Sequence, residues 1–460
     1  MTGRWDAPRD VRRRAVLAVT GGALLGGCGR SSPPPSPPAP VAPSRGAAGP
    51  GTADVSRLLA ERGRALAVAD VAAAGAVCAP GSPSGAGELR RADTTAVRAG
   101  LVSWAVDLQE VAGGRARGRL RVRVAGEGRE VAGRFGAALV PRDGGWALAL
   151  PDPACTPQPW DLGEVRAHRV AGGTVLLVRP AGFAGATGTG EAGGVGEAEQ
   201  TEQAEQAEQV ARRAAADLPG AAARVDAAWG AGRPGGTAVV VVPTTSELAR
   251  LAGLGPGRAA ALDAVAVGED SALADGAPAG VRVVLAADRC ARLTPAGRTA
   301  TLTHELVHAA TRATATARPG PDGTRPVPRW LTEGYADHVA RRDLDVPAAL
   351  LAAPLLEAVA GGASPAPPED ADFDGTGRQL QVAYAAAWTL VTSAARAAGT
   401  PAVTALLRSL STAPELGGAP AAPRGQRLDA ACRAALGAGW ADVQRTWRAD
   451  VAAGLVGWGS

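Results

Sequence analysis

The chain contains no lysine, no isoleucine and no asparagine. All 48 basic residues are therefore arginine, which reads as coding bias and not as selection for arginine chemistry. Aromatic residues are only 3% of 460, so alanine, valine and leucine must do most of the packing. A net charge of +4 over this length is mild, and no dense basic stripe interleaves with aromatics. No nucleic-acid partner is therefore expected. Cysteine is scarce, with 5 residues and no C-x-x-C pair, so a cysteine-ligated metal site is excluded as well. Histidine numbers 4 and tyrosine 2, which makes each one informative.

The histidines are not scattered evenly. His304-Glu305-Leu306-Val307-His308 forms an H-E-x-x-H motif. On a helix, residues four apart share one face, so both imidazoles can hold one metal ion. Glu305 then sits where it can take a proton from a metal-bound water. With histidine this rare, a chance match is on the order of a few in a thousand.

A catalytic zinc site needs a third protein ligand. Residues 328–340 read as a helix opening at Pro328, and Glu333 lies 25 residues beyond His308 (333 − 308). Asp337 follows at i+4 on the same face. The economical division puts Glu333 on the metal and Asp337 on the N–H of His304 or His308. The competing reading is a solvated acidic face offset by Arg329, Arg341 and Arg342. Peptide hydrolysis also needs an oxyanion donor; Tyr384 is the first candidate and His338 the second, with a packed aromatic as the alternative for the tyrosine.

H-E-L-V-H followed by W-L-T-E-G-Y-A-D resembles the gluzincin metallopeptidases, and within them the peptidase MA-like domains. The run from 281 to about 410 is also similar to exported peptidase MA-like proteins of high-GC Gram-positive bacteria. The shared features there are the approach strand at 281–285 and the later segment at 383–388. The resemblance implies zinc as cofactor, His304, His308 and Glu333 as ligands, Glu305 as general base, and a peptide or protein substrate. His338 stands where such proteins often carry tyrosine.

The N-terminus reads as a targeting device. Arg12-Arg13-Arg14 precedes an apolar stretch at 15–25, far short of the roughly 20 residues a spanning helix needs. Arg13-Arg14 has a twin-arginine look, and Leu25-Gly26-Gly27-Cys28 resembles a bacterial lipobox. Residues 1–27 are thus expected to be a signal peptide. Cys28 becomes a lipidated anchor at the outer face of the cell membrane, and 28–53 form a Pro/Ser/Ala/Gly tether. The alternative is an ordinary secreted protein. Four cysteines remain, Cys78, Cys155, Cys290 and Cys432. Export suggests two disulfides, with Cys78–Cys155 and Cys290–Cys432 favoured by layout and free buried thiols the alternative.

The fold class expected is α+β. Residues 54–180 carry a helix and then strand alternation (Val102, Trp104, Val106, Leu108; Leu120, Val122, Val124). This resembles the cone-like nuclear-transport-factor-like and SnoaL-like domains. Residues 181–209 read as a low-complexity linker, ending in a Glu-Gln-rich three-residue repeat. The peptidase domain is expected over 210–460. It begins with strands at 238–242, 264–267 and 281–285, one edge of which can pair with substrate. The H-E-x-x-H helix, capped by Thr294 and Pro295, and a mainly helical remainder with an acidic loop at 365–374 follow. The function expected is a membrane-tethered zinc metallopeptidase. The rivals are a non-catalytic cell-envelope binding lipoprotein on the same scaffold, and a lipoprotein whose zinc only stabilises the fold. Oligomeric state is left open.

Lipidation is directly testable. Cys28→Ser is expected to leave the protein soluble or as uncleaved precursor on membrane fractionation. Mature unmodified protein beginning at another residue would remove the lipobox reading.

Overall fold

The computed structural model describes residues 50–458, except 80–84, 143–144, 151, 153–154, 181–194, 231–234, 269–277, 317–324 and 413–422. The expected signal peptide, Cys28 and nearly all of the tether lie outside the described residues. Among the described residues, no helix is long and apolar enough to cross a membrane.

The protein is a mixed α+β chain. Three helices, α1 (Thr52–Ala67), α2 (Val71–Ala76) and α3 (Gly85–Arg98), lead into an antiparallel meander. Its strands are β1 (Leu101–Ala112), β2 (Arg115–Val124), β3 (Val131–Arg142) and β4 (Gly145–Ala149), in that spatial order. One turn of helix, α4 (Pro159–Leu162), hands over to the hairpin β5 (Gly163–Val170) and β6 (Gly173–Pro180). The long α5 (Val195–Trp229) crosses to β7 (Thr237–Val242). After α6 (Thr245–Ala252) and α7 (Pro256–Ala259) come β8 (Ala264–Val267) and β9 (Arg282–Ala286). These five strands form a second sheet ordered β5-β6-β7-β9-β8, with β6, β7 and β9 parallel and the outer strands antiparallel.

The remainder is helical. It runs through α8 (Ala287–Cys290), α9 (Pro295–Arg312), α10 (Arg329–Arg341), α11 (Ala348–Leu351) and α12 (Ala353–Ala360). After a 3-10 turn at Asp370–Asp374 come α13 (Gly377–Ala398), α14 (Thr400–Ser411), α15 (Arg424–Leu436) and α16 (Trp440–Ala452).

The second sheet divides the molecule. Val175, Leu177, Val239, Val241, Val283 and Leu285 face the helical side, in one core with α5, α9, α10 and α13. Leu176, Val178, Val240, Val242 and Val284 point the other way, into a core shared with α1 and the meander. Covered on both faces, the central β7 and β9 are apolar apart from their first residues, Thr237 and Arg282, and Thr237–Val242 is buried throughout.

This corrects the expected boundary at residue 180. The stretch 54–180 is not a separate cone: it has three helices, and β5 and β6 leave the meander for the second sheet. The reason is compositional, since Val175–Val178 is apolar on both faces and fully buried, so a half-exposed sheet could not hold it. The expected linker is also part helix. Within 181–209, residues 181–194 lie outside the described residues, while Val195 onward belongs to α5. Ala207 is buried and continues the stripe Val210, Ala211 and Ala214 back by one turn. That stripe lies at helical spacing, so the end of the repeat contributes a packing face.

The expected disulfides are absent, because all four described cysteines are free thiols. Each sulfur has its own neighbours: Ala74 O and Arg62 for Cys78, Gly136 for Cys155, and Asp263 O for Cys290. Burial pushes the Cys432 thiol up to about 12, so it stays an inert packing group.

The meander is pinned to the second sheet by a buried ion pair. Arg282 of β9 donates from Nε and Nη2 to Glu127 at 2.6 and 3.1 Å and from Nη1 to Gln158 at 2.9 Å. Glu127, in the β2–β3 turn, also accepts the Val124 N–H. Removing one member leaves a buried charge alone. Glu127→Ala is therefore expected to cost about 3–5 kcal/mol, read as a lowered urea midpoint, whereas Glu127→Leu with Arg282→Met should recover most of the loss. An unchanged midpoint for Glu127→Ala would mean the pair pins nothing.

Candidate metal centre

The H-E-x-x-H helix begins as its sequence dictates. The Thr294 hydroxyl accepts the Gly297 N–H at 3.1 Å, and Pro295 takes the first helical position. From Ala300 to Thr311 every residue is buried, because α5, α10 and the second sheet enclose α9. Pro328 stands at the cap of α10, one residue ahead of its expected place. Gly334 is what lets α10 lie close to α13. A Cβ there would sit 2.3 Å from the Ala387 carbonyl oxygen, so any side chain would push the helices apart and displace Glu333 with them.

His304, His308 and Glu333 converge. Their imidazole Nε2 atoms are 3.0 Å apart, and Glu333 Oε2 lies 3.5 Å from the first and 3.3 Å from the second. The three residues could hold a metal ion, one ligand atom from each. All are buried, with exposures of 1%, 5% and 4%. On the far side of His304, Nδ1 is 2.9 Å from Asp337 Oδ1, which fixes the ring so that Nε2 points into the cluster. A solvated acidic face is thereby ruled out, since Asp337 is 0% exposed.

The charges respond to this packing. For His304, burial opposes a proton, yet Asp337 and Glu333 outweigh it and raise the pKa to about 10. For Glu333, burial favours the neutral acid, but His308 and His304 overcome it and lower the pKa to about 2. Glu305 is different. Burial raises its pKa despite the two histidines, and neither carboxylate oxygen has a hydrogen-bond partner among the described residues. The Ala266 amide of β8 lies beside it without completing a bond of ordinary geometry. A buried, unpartnered carboxylate is costly, and beside a ligand cluster it is free for other work.

Tyr384 is brought into this neighbourhood. It is buried on α13, edge-on to Phe373 at 5.3 Å. Burial and then the Glu333 carboxylate hold its hydroxyl in the protonated, donating form. Tyr335 is turned away, its hydroxyl 2.7 Å from Thr404. His338 is corrected from an oxyanion candidate to a structural residue. Its Nδ1 and Nε2 lie 3.1 and 3.0 Å from the Thr392 and Thr400 hydroxyls, and burial lowers its pKa to about 4. It is neutral and fully engaged.

Two arginines bear on the centre: Arg341, which the sequence offered only as an offset to a solvated acidic face, and Arg312, which it did not single out. Arg341, one turn after Asp337, places Nη2 2.8 Å from Asp337 Oδ2 and lies over Trp388; its i+4 spacing was the available signal. Arg312, one turn after His308, donates to the carbonyls of Ala266 and Gly268 at 2.9 and 2.6 Å. These groups lie on the free edge of β8, so that part of the expected substrate edge is already used within the chain. Arg329 holds the acidic loop onto α10 through Asp370, Phe373 and Asp374.

Metal loading should report this electrostatics. A ligand imidazole must be neutral, but His304 carries a proton at pH 7.5 because its pKa of about 10 lies above that pH. Calorimetry in buffers of different ionisation enthalpy is expected to show about one proton released per metal, with affinity climbing about tenfold per pH unit below 10. Asp337→Ala should weaken binding by about 10–100-fold. Loading without proton release would contradict the ligand assignment of His304. The chain matches no protein-family model, no curated protein and no solved structure.

Proposed function

We propose that this protein is a zinc metallopeptidase of the gluzincin, peptidase MA-like kind, exported and held at the outer membrane face through a lipidated Cys28. The observation that carries the reading is Glu305. It is fully buried, lacks a hydrogen-bond partner at either oxygen among the described residues and flanks a two-histidine, one-carboxylate cluster. The donor set fits zinc, which favours two nitrogens and a carboxylate in a catalytic site.

A zinc ion held there would supply Lewis acidity, bringing the pKa of a water near 7 and polarising the scissile carbonyl. Glu305 takes the proton of the attacking water and passes it to the leaving amine. Its raised pKa suits a group that must both accept and return a proton. Asp337, backed by Arg341, keeps His304 in the ligand orientation. Tyr384 supplies a hydroxyl for the oxyanion.

A second reading, a zinc that only stabilises the fold, draws support from one fact: His304, Glu305, His308 and Glu333 are each no more than 5% exposed. The decisive comparison is Glu305→Gln against wild type, with zinc content and cleavage of a peptide library measured on one preparation. Glutamine preserves shape but cannot accept the proton. Full zinc with cleavage reduced by about 10²–10⁴-fold is expected. Unchanged cleavage would place the chemistry elsewhere, and a zinc-loaded wild type that cleaves nothing would favour the structural reading.

A further inference from the structure

A cavity of about 240 Å³ lies between the meander and α6, on the face of the second sheet turned away from the metal centre. Val240 and Val284 of the sheet line it, with Val131 of β3 and Leu251 of α6. An apolar cavity of about 150 Å³ is already enough to take a benzene ring. Among the described lining residues the charged ones are of one sign, Arg134, Arg250 and Arg282, with no carboxylate. These arginines are not equivalent. The Arg282 guanidinium is spent on Glu127 and Gln158, whereas Arg134 and Arg250 are exposed. Asp161 tempers the charge of Arg250 but lines a different cavity, with Glu88 and Leu89.

An apolar chamber with convergent polar groups of one charge is the ordinary form of a small-molecule site. We propose that this cavity binds a small organic carboxylate, its apolar body against Val240, Val284 and Leu251 and its charge on Arg134 and Arg250. The assignment is independent of any peptidase activity. It does have a physical route to the metal centre, because β8 serves both places. Val267 and Gly268 line the cavity, while the Ala266 amide lies beside Glu305 and the Gly268 carbonyl is held by Arg312.

Calorimetric titration of the full chain with 4-phenylbutyrate, 4-phenylbutan-1-ol and inorganic phosphate separates the two halves of the site. One molecule of 4-phenylbutyrate is expected to bind, with the uncharged alcohol and the bare anion each at least about tenfold weaker. Raised salt should weaken the carboxylate more than the alcohol. Arg134→Ala with Arg250→Ala should lose about tenfold for the carboxylate and leave the alcohol unchanged. Ala252→Phe, which fills the chamber from the end of α6, should abolish binding at an unchanged melting temperature. Equal affinity for acid and alcohol would overturn the anion recognition. Phosphate binding as tightly as the acid would reduce the site to a surface charge patch. No binding of 4-phenylbutyrate at about 10 mM, or full binding by a folded Ala252→Phe, would overturn the proposal outright. If Ala252→Phe fails to fold, the double arginine variant decides.

Discussion

α9 carries two imidazoles and a carboxylate through the middle of an apolar core, and the helical half of the molecule is arranged to compensate them. Polar groups removed from water cost several kcal/mol unless paired. His304 is therefore held from two sides, by Asp337 at Nδ1 and by Glu333 near Nε2. Asp337 is itself balanced by Arg341, which rests on Trp388 of α13. Both carboxylates and the arginine come from α10, at successive turns. One helix thus neutralises the other, and Gly334 fixes how closely α13 can press on the pair.

Within that compensated cluster Glu305 is the exception. Its neighbours differ from those of Glu333 by position alone: the second glutamate meets both imidazoles and is held ionised, while the first is buried without a partner. Two glutamates close enough to influence each other in the same core are driven in opposite directions, and such divergence is a recurrent sign of divided roles in proton transfer. Burial of all four residues is also what makes the stabilising role of a metal a serious rival to the catalytic one.

The other half of the molecule is tied to this centre through the second sheet. β7 and β9 turn alternate valines into two cores, so the meander, the Arg282–Glu127 pair and the α6 cavity are all built on the reverse of the strands that support α9. β8 is the edge strand of that sheet. Val267 at its end lines the cavity, and its free edge borders Glu305 and receives Arg312. A shift of this strand would be felt on both faces, because packed interiors transmit strain.

The sequence by itself determined the local geometry of the centre. Four-residue spacing put His304 over His308 and Glu333 over Asp337, and Thr294 with Pro295 set where α9 starts, since helical periodicity and end-capping are properties of adjacent residues. The strands at 238–242, 264–267 and 281–285 were legible for the same reason. What only the tertiary structure decided was anything that depends on which distant segments meet. It moved β5 and β6 out of the meander, turned part of an apparent linker into the first turns of α5, and kept four cysteines apart. It closed both nitrogens of His338 with threonines from α13 and α14, and it placed Arg312 against the carbonyls of Ala266 and Gly268, which no local pattern announces. A chain packed mostly with alanine and valine leaves its long-range pairings to the shape of the assembled layers, because small similar side chains fit many partners equally well and only the closed core selects among them.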